Sequence, residues 1–288
     1  MSAGTIHTSA TPDRSQVLAV EVLGIGLLGP GLADWATGAA LLRDLSAWQP
    51  APTVVPPPQR LPPTERRRAG VVVKAAIVVA DQACAAAGLA PAGLATVFTS
   101  STGDPANCHA LCEALAAPER LVSPTRFTNS VHNAPSGYWH IAVQGMQAST
   151  AIAGYDASFG AGLLEAAVQC HASGAAVLLV AVDVPYPEPL HGVRPLADTL
   201  GLALVLAPAG SSPGQAMQLH IRLAPDAEPT ACADAGLDRL RRGIPAGRAL
   251  PLLQALARGD ATRLVVETWP DLALQVDIVA APAAEVAA

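Results

Sequence analysis

Charge, aromatic rings and clustered basic residues are all scarce in this sequence. Charged residues make up 14 % of the 288 and aromatics 3 %, against 51 % hydrophobic residues. The low charge and ample apolar content argue against disorder and for a compact globule. With so few rings, its core must be packed from Ala, Val and Leu. The net charge of −6 argues against a general affinity for nucleic acid, which needs clustered Lys and Arg to displace counterions. The one basic run, Arg66-Arg67-Arg68, reads as a solvated helix start or an interface charge. No apolar run is long and uncharged enough to span a bilayer. Met1 to Arg14 is too polar for a secretory signal. The five cysteines (Cys84, Cys108, Cys112, Cys170, Cys232) are odd in number and lack framework spacing, as suits a reducing cytoplasm. A cytoplasmic protein without disulfides is expected.

Two motifs invite cofactors and fall short. Cys108 and Cys112 share a helix face, but His109 points about 100° away around a helix of 3.6 residues per turn. No second pair with ligand spacing follows, so no metal is expected. "GIGLLGPG" (24–31) lacks the Lys and Ser/Thr of a phosphate loop and the spacing of a dinucleotide fingerprint. No cofactor is expected.

What is present is an alternation of strand and helix patterns. Residues 17–28 read as a strand and turn, and "GPGLADWATGAALLRD" as a turn and short helix. The proline-rich 50–63 reads as a surface crossing. A helix capped by Thr64 and stopped by Gly88 follows. A strand at 94–101, a helix ended by Pro118, a helix after Pro135 and a strand at 149–153 come next. The run "AAVLLVAVDVP" reads as a parallel strand buried on both faces, and 199–208 as another strand. Beyond 209, a loop, a strand, two helices (233–242 and 250–258) and further strand pattern precede a tail, 281–288, expected to fray. The order predicts a layered α/β fold with a mainly parallel sheet.

One corner stands out. In "AIAGYDASFGAGLLEAAVQC" (151–170) an apolar strand enters a tight turn at Gly154-Tyr155-Asp156-Ala157-Ser158, and a helix leaves it. Such a corner presents a nucleophile at a helix N-terminus, yet its apex is alanine.

"RLPPTERRR", "SVHNAPSGYWHI", the corner and its helix, "ASGAAVLLVAVDVP" and "GVRPLADTLGLALVLAP", in this order, resemble the N-terminal half of β-ketoacyl synthases over about residues 15–208. The resemblance implies a thiolase-like α/β/α fold. Residues 15–208 would form the ketosynthase N-terminal-like half. Residues 209–280 would be a truncated second half completing the same globule. Active members carry a cysteine at the corner, because only a thiolate readily accepts an acyl group from a carrier thioester. Counting back from Ser173-Gly174 places Ala157 in that slot. Active members also carry two histidines further on, whereas past 208 the one histidine here is His220.

Within the family, cysteine-less partner subunits called chain-length factors pair with an active ketosynthase. The short sort, with "HNAPSGYW" and a "YDAS"-like corner, resembles partners from aryl-polyene pathways. The implied function is a non-catalytic subunit that heterodimerises with an active β-ketoacyl synthase, shapes its acyl tunnel, and meets acyl carrier protein through the complex. His109, Leu111, Cys112, Leu115 and Phe127 are tunnel-length candidates by this resemblance. Tyr155 and Phe159 are read either as core packing or as plugs of the vacated site. Asn129, His132, Asn133, Tyr138 and Trp139 are interface candidates. Ser158 or Asp156 is expected to cap the next helix. The rivals are an acyltransferase or hydrolase using Ser158, and a degenerate homodimeric acyl-binding scaffold.

Overall fold

The computed structural model describes residues 17–212 and 216–280; the tail 281–288 lies outside the described residues. Eight strands form one sheet in the order β3-β2-β4-β5-β1-β6-β8-β7. They are β1 (Leu18–Leu28), β2 (Ala95–Thr99), β3 (Ser149–Ile152), β4 (Val177–Asp183), β5 (Leu200–Pro208), β6 (Gln218–Pro225), β7 (Thr262–Trp269) and β8 (Leu272–Val279). The helices are α1 (Trp35–Arg43), α2 (Pro63–Arg68), α3 (Val71–Ala87), α4 (Pro105–Ala116), α5 (Pro124–Thr128), α6 (Ala134–Val143), α7 (Ser158–Ser173), α8 (Leu190–Val193), α9 (Ala235–Gly243) and α10 (Leu250–Arg258).

The layered class is as the sequence predicts, but the sheet is mixed. Only β3-β2 and β2-β4 are parallel pairs; every other pairing is antiparallel. Parallel neighbours need a crossover, usually helical, and the chain supplies α7 between β3 and β4. Between β4 and β5 only the one-turn α8 intervenes, and β7 returns as β8 through a tight turn. Those strands therefore pair antiparallel.

The pleat divides the core into two. On β4, Val177, Leu179 and Ala181 join Phe159, Leu163 and Leu252 on one face. Leu178, Val180 and Val182 join Val73, Ile77 and Trp139 on the other. Side chains alternate across a strand, so a continuous apolar run serves two helix layers at once. The helix expected from Thr64 is two helices, broken at Ala69-Gly70, and no side chain caps α2. Gly88 ends α3 in the left-handed conformation, at φ 65°.

The glycines of "GIG" have a packing role. β1 is one bulged strand, and the α3 backbone lies directly on it: a Cβ on Gly26 would sit 1.9 Å from the Val79 carbonyl oxygen. Backbone cannot yield as a side-chain tip can. Gly26→Ala should therefore lower stability by about 3 kcal/mol, read as a lower urea midpoint at unchanged slope.

Candidate functional site

The corner follows β3 directly. Tyr155, Asp156 and Ala157 form a single 3-10 turn, and α7 begins at Ser158 with Ala157 as its cap residue. Ala157 is buried. Small residues let α7 approach its neighbours: a Cβ on Gly160 would lie 2.0 Å from the Glu267 carbonyl oxygen of β7.

The expected side-chain cap is not made. Ser158 is one position too far into the helix; its hydroxyl donates to the Tyr155 carbonyl at 2.7 Å and accepts from the Gly154 N–H at 3.0 Å. Asp156 is drawn away by arginines. Arg194 Nη2 donates to Asp156 Oδ1 at 2.6 Å, and Arg248 Nη2 lies 3.5 Å from Oδ2. Arg248, almost fully buried, also donates to Glu267 at 3.1 Å and to the Arg241 carbonyl. The hydroxyl of Ser158 thus braces the backbone of the turn, with Asp156 committed elsewhere. A serine nucleophile needs a base within hydrogen-bond reach.

Beneath the corner lies Asp183, at the C-terminal end of β4 and 2 % exposed. Its Oδ1 accepts from the Ser101 N–H at 2.7 Å and the Ser100 hydroxyl at 3.3 Å. Its Oδ2 accepts from the Ala246 N–H at 2.8 Å. Burial pushes the carboxyl above the usual aspartate range, partly offset by these donors. The native state therefore holds this proton more tightly than the unfolded chain. The group's stabilising contribution is fullest at acid pH and declines as pH rises through the native pKa. This aspartate, Arg194 and Arg248 escaped sequence reasoning. A charged residue closing the apolar run of β4 was the available signal for Asp183; nothing local marks the arginines.

The other candidates scatter. Phe159 is fully buried in the core, so its ring belongs to packing rather than to a wall. Tyr155 is neither core nor plug: it is 64 % exposed. Along α4 only Pro105 and Asn107 are buried. His109 and Leu111 are half-buried; Cys112, Leu115 and, on α5, Phe127 are exposed. His109 pairs with Glu113 at 3.3 Å.

Among the interface candidates, Trp139 is fully buried within its own chain, so its ring offers no contact surface. Asn129 is buried, donating to the Arg68 carbonyl at 3.0 Å and accepting from the Tyr138 hydroxyl at 3.1 Å. His132 Nε2 meets the Ser100 carbonyl at 3.2 Å. These three order the chain internally, while Asn133 is exposed. A 630 Å³ cleft lies beside them, lined in part by Arg67, Arg68, Asp104 and Arg126.

Burial pushes Cys84 and Cys232 up to about 12 and Cys170 to about 11, and it also raises Cys108. No helix among the described residues is long and apolar enough to cross a membrane.

The chain belongs to the β-ketoacyl synthase family: the model described as "Beta-ketoacyl synthase, N-terminal domain" matches residues 39–261. A similar solved structure is the ketosynthase ApeO in complex with its chain length factor ApeC from Xenorhabdus doucetiae. It aligns at TM-score 0.70 and 22 % identity, over 90 % of this chain and 99 % of the matched one. The complex AntDE:AntF, a type II PKS acyl-carrier protein with its ketosynthase bound to the hexaketide, aligns at 0.70 and 12 %, over 92 % and 99 %. The ishigamide ketosynthase/chain length factor aligns at 0.53 and 17 %, over 84 % and 70 %. No curated protein matches the sequence. The fold is thus that of ketosynthases and of proteins solved with chain length factors.

Two measurements check this site. A thiol-reactive dye should modify Cys108 and Cys112 in the native protein, and Cys84, Cys170 and Cys232 only after denaturation. Asp183→Ala, which strands two buried N–H groups, should cost about 3 kcal/mol of unfolding free energy.

Proposed function

We propose that this chain is a non-catalytic, chain-length-factor-like subunit. It pairs with an active β-ketoacyl synthase and lends part of its acyl tunnel wall in polyketide or fatty-acid-like biosynthesis of the aryl-polyene type. The observation that carries this reading is Ala157: the corner, its 3-10 turn and its helix are intact, while the position of the acyl-accepting thiol holds a methyl group. Ser158 does not substitute, because both bonds of its hydroxyl go to the main chain. In this reading residues 15–208 are the ketosynthase N-terminal-like half, and 209–280 a reduced second half completing the same globule.

Three observations support a partner. Among the described residues β3 bonds only to β2, so its outer edge is unpaired there. An open strand edge is a ready site for pairing with another chain. Among the described residues, half of the exposed large apolar side chains fall between Leu115 and Tyr155, on α4, α5, α6, the corner and the loops between them. Apolar surface concentrated in this way marks a protein contact. The chain also aligns over 99 % of the matched chain in two ketosynthase complexes. His109, Leu111, Cys112 and Leu115 on α4, with Phe127 on α5, are the proposed wall residues. Asn133 and Tyr138 are the proposed seam residues, beside the internally bonded Asn129 and His132. Acyl carrier protein would be met through the complex.

The test is co-expression of this chain, untagged, with the tagged ketosynthase encoded beside it, followed by capture and mass determination. The expected product is a one-to-one complex, with an interface on the order of 2,000 Å² or more. Acylation should occur on the partner alone, and an acylphosphonate should leave Ser158 unmodified. A chain that never co-purifies and forms a stable homodimer would sink the proposal.

A further inference from the structure

Tyr155 combines three features that rarely meet in one residue. Its φ is +53°, in the left-handed region; among the described residues five non-glycines have positive φ, and Tyr155 is the only aromatic one. A bulky residue there is strained, and such strain persists only where the surroundings over-determine it. The second feature is exposure: the side chain stands 64 % in solvent. The third is a fixed orientation. The Arg194 guanidinium carbon lies 3.7 Å from the ring centroid, a close cation–π stack.

The restraints converge from separate segments. Arg194 is pinned by Asp156 at 2.6 Å, and Asp156 also faces Arg248 from the turn before α10. The Tyr155 carbonyl is held by the Ser158 hydroxyl, which in turn holds the Gly154 N–H. Backbone and ring are thus both fixed before any contact is made. Little conformational freedom remains to be lost on association. Two residues separate Tyr155 from the end of β3, whose outer edge is open.

We infer that Tyr155, stacked on Arg194, is a preformed anchor: a rigid aromatic that enters a pocket of the ketosynthase subunit and fixes the choice of partner. Tyr and Arg are over-represented among residues that dominate binding energy, chiefly where they are immobile and fill a partner's pocket. The inference rests on the subunit reading above and names the residue through which that contact is made. Nothing in the fold of the isolated chain requires an aromatic here. Asparagine or glycine would adopt the same φ with less strain.

The test measures affinity and stability side by side on the full chain with its co-encoded ketosynthase. Tyr155→Asn removes the ring and tolerates the left-handed backbone; Tyr155→Gly is the second variant should Asn fold poorly. Either should stay within about 4 °C of the wild-type Tm while binding the ketosynthase at least about 30-fold more weakly. Tyr155→Phe, which keeps ring and stack, should bind within about threefold of wild type. If wild type binds and the ring-less variants bind equally well, the anchor is overturned and the subunit reading stands. If wild type itself does not bind, both fall.

Discussion

The carboxylate of Asp183 is enclosed by protein, and three stretches of chain are fastened to it. It ends β4, takes N–H and hydroxyl donors from the turn after β2, and takes a further N–H from the turn before α10. Burying a carboxylate is costly unless its oxygens are hydrogen-bonded, so the group dictates where those donors must stand. From there the constraint spreads. The Ser100 carbonyl positions His132. The turn that donates Ala246 N–H also carries Arg248, which reaches Asp156 in the corner. The corner is thus linked to Asp183 through this one turn.

This explains how the corner keeps its shape with alanine at its apex. Alanine is among the poorer helix N-cap residues, costing about 1 kcal/mol relative to Ser or Asp. Tyr155, two residues earlier, adds a left-handed φ. Both are tolerated because Gly160 lets α7 close on β7, Ser158 braces the turn, and two arginines hold Asp156. The shape is maintained by contacts from four segments, and what it presents outward is an exposed ring.

How much of this was legible depends on the range of the interaction concerned. Elements set by local pattern could be read. The continuous apolar run of β4, the left-handed stop at Gly88, and the strand-turn-helix of the corner all follow from residues within one window. The sense of strand pairing could not, since "VLLVAVD" is equally apolar beside a parallel or an antiparallel neighbour. Only the lack of a long crossover helix between β4 and β5 decides it. The cap expected from Ser158 or Asp156 failed for the same reason: Arg194 and Arg248 compete for Asp156 from 38 and 92 residues further along the chain. Family likeness makes Trp139 an interface candidate, but its ring is buried in one core of this chain; Phe159, open to a core or a plug reading, lies in the other core.

That choice bears on what covers the open edge. With 3 % aromatics, every ring is a large share of the apolar surface the chain can bury. Phe98, Trp139 and Phe159 are inside, yet Phe127 and Tyr155 stand 69 % and 64 % in solvent. Burying one such ring is worth about 1.5–3 kcal/mol, against a typical domain stability of about 5–15 kcal/mol. A fold answering only to its own stability would place these rings inward and put alanine outside. Phe127 stands instead on α5, which buries nothing, next to α4, whose buried residues are Pro105 and Asn107 alone, and Tyr155 stands on the turn that follows β3. The two faces of the sheet are filled while, among the described residues, the outer edge of β3 has no partner strand, a form that suits the proposed subunit role.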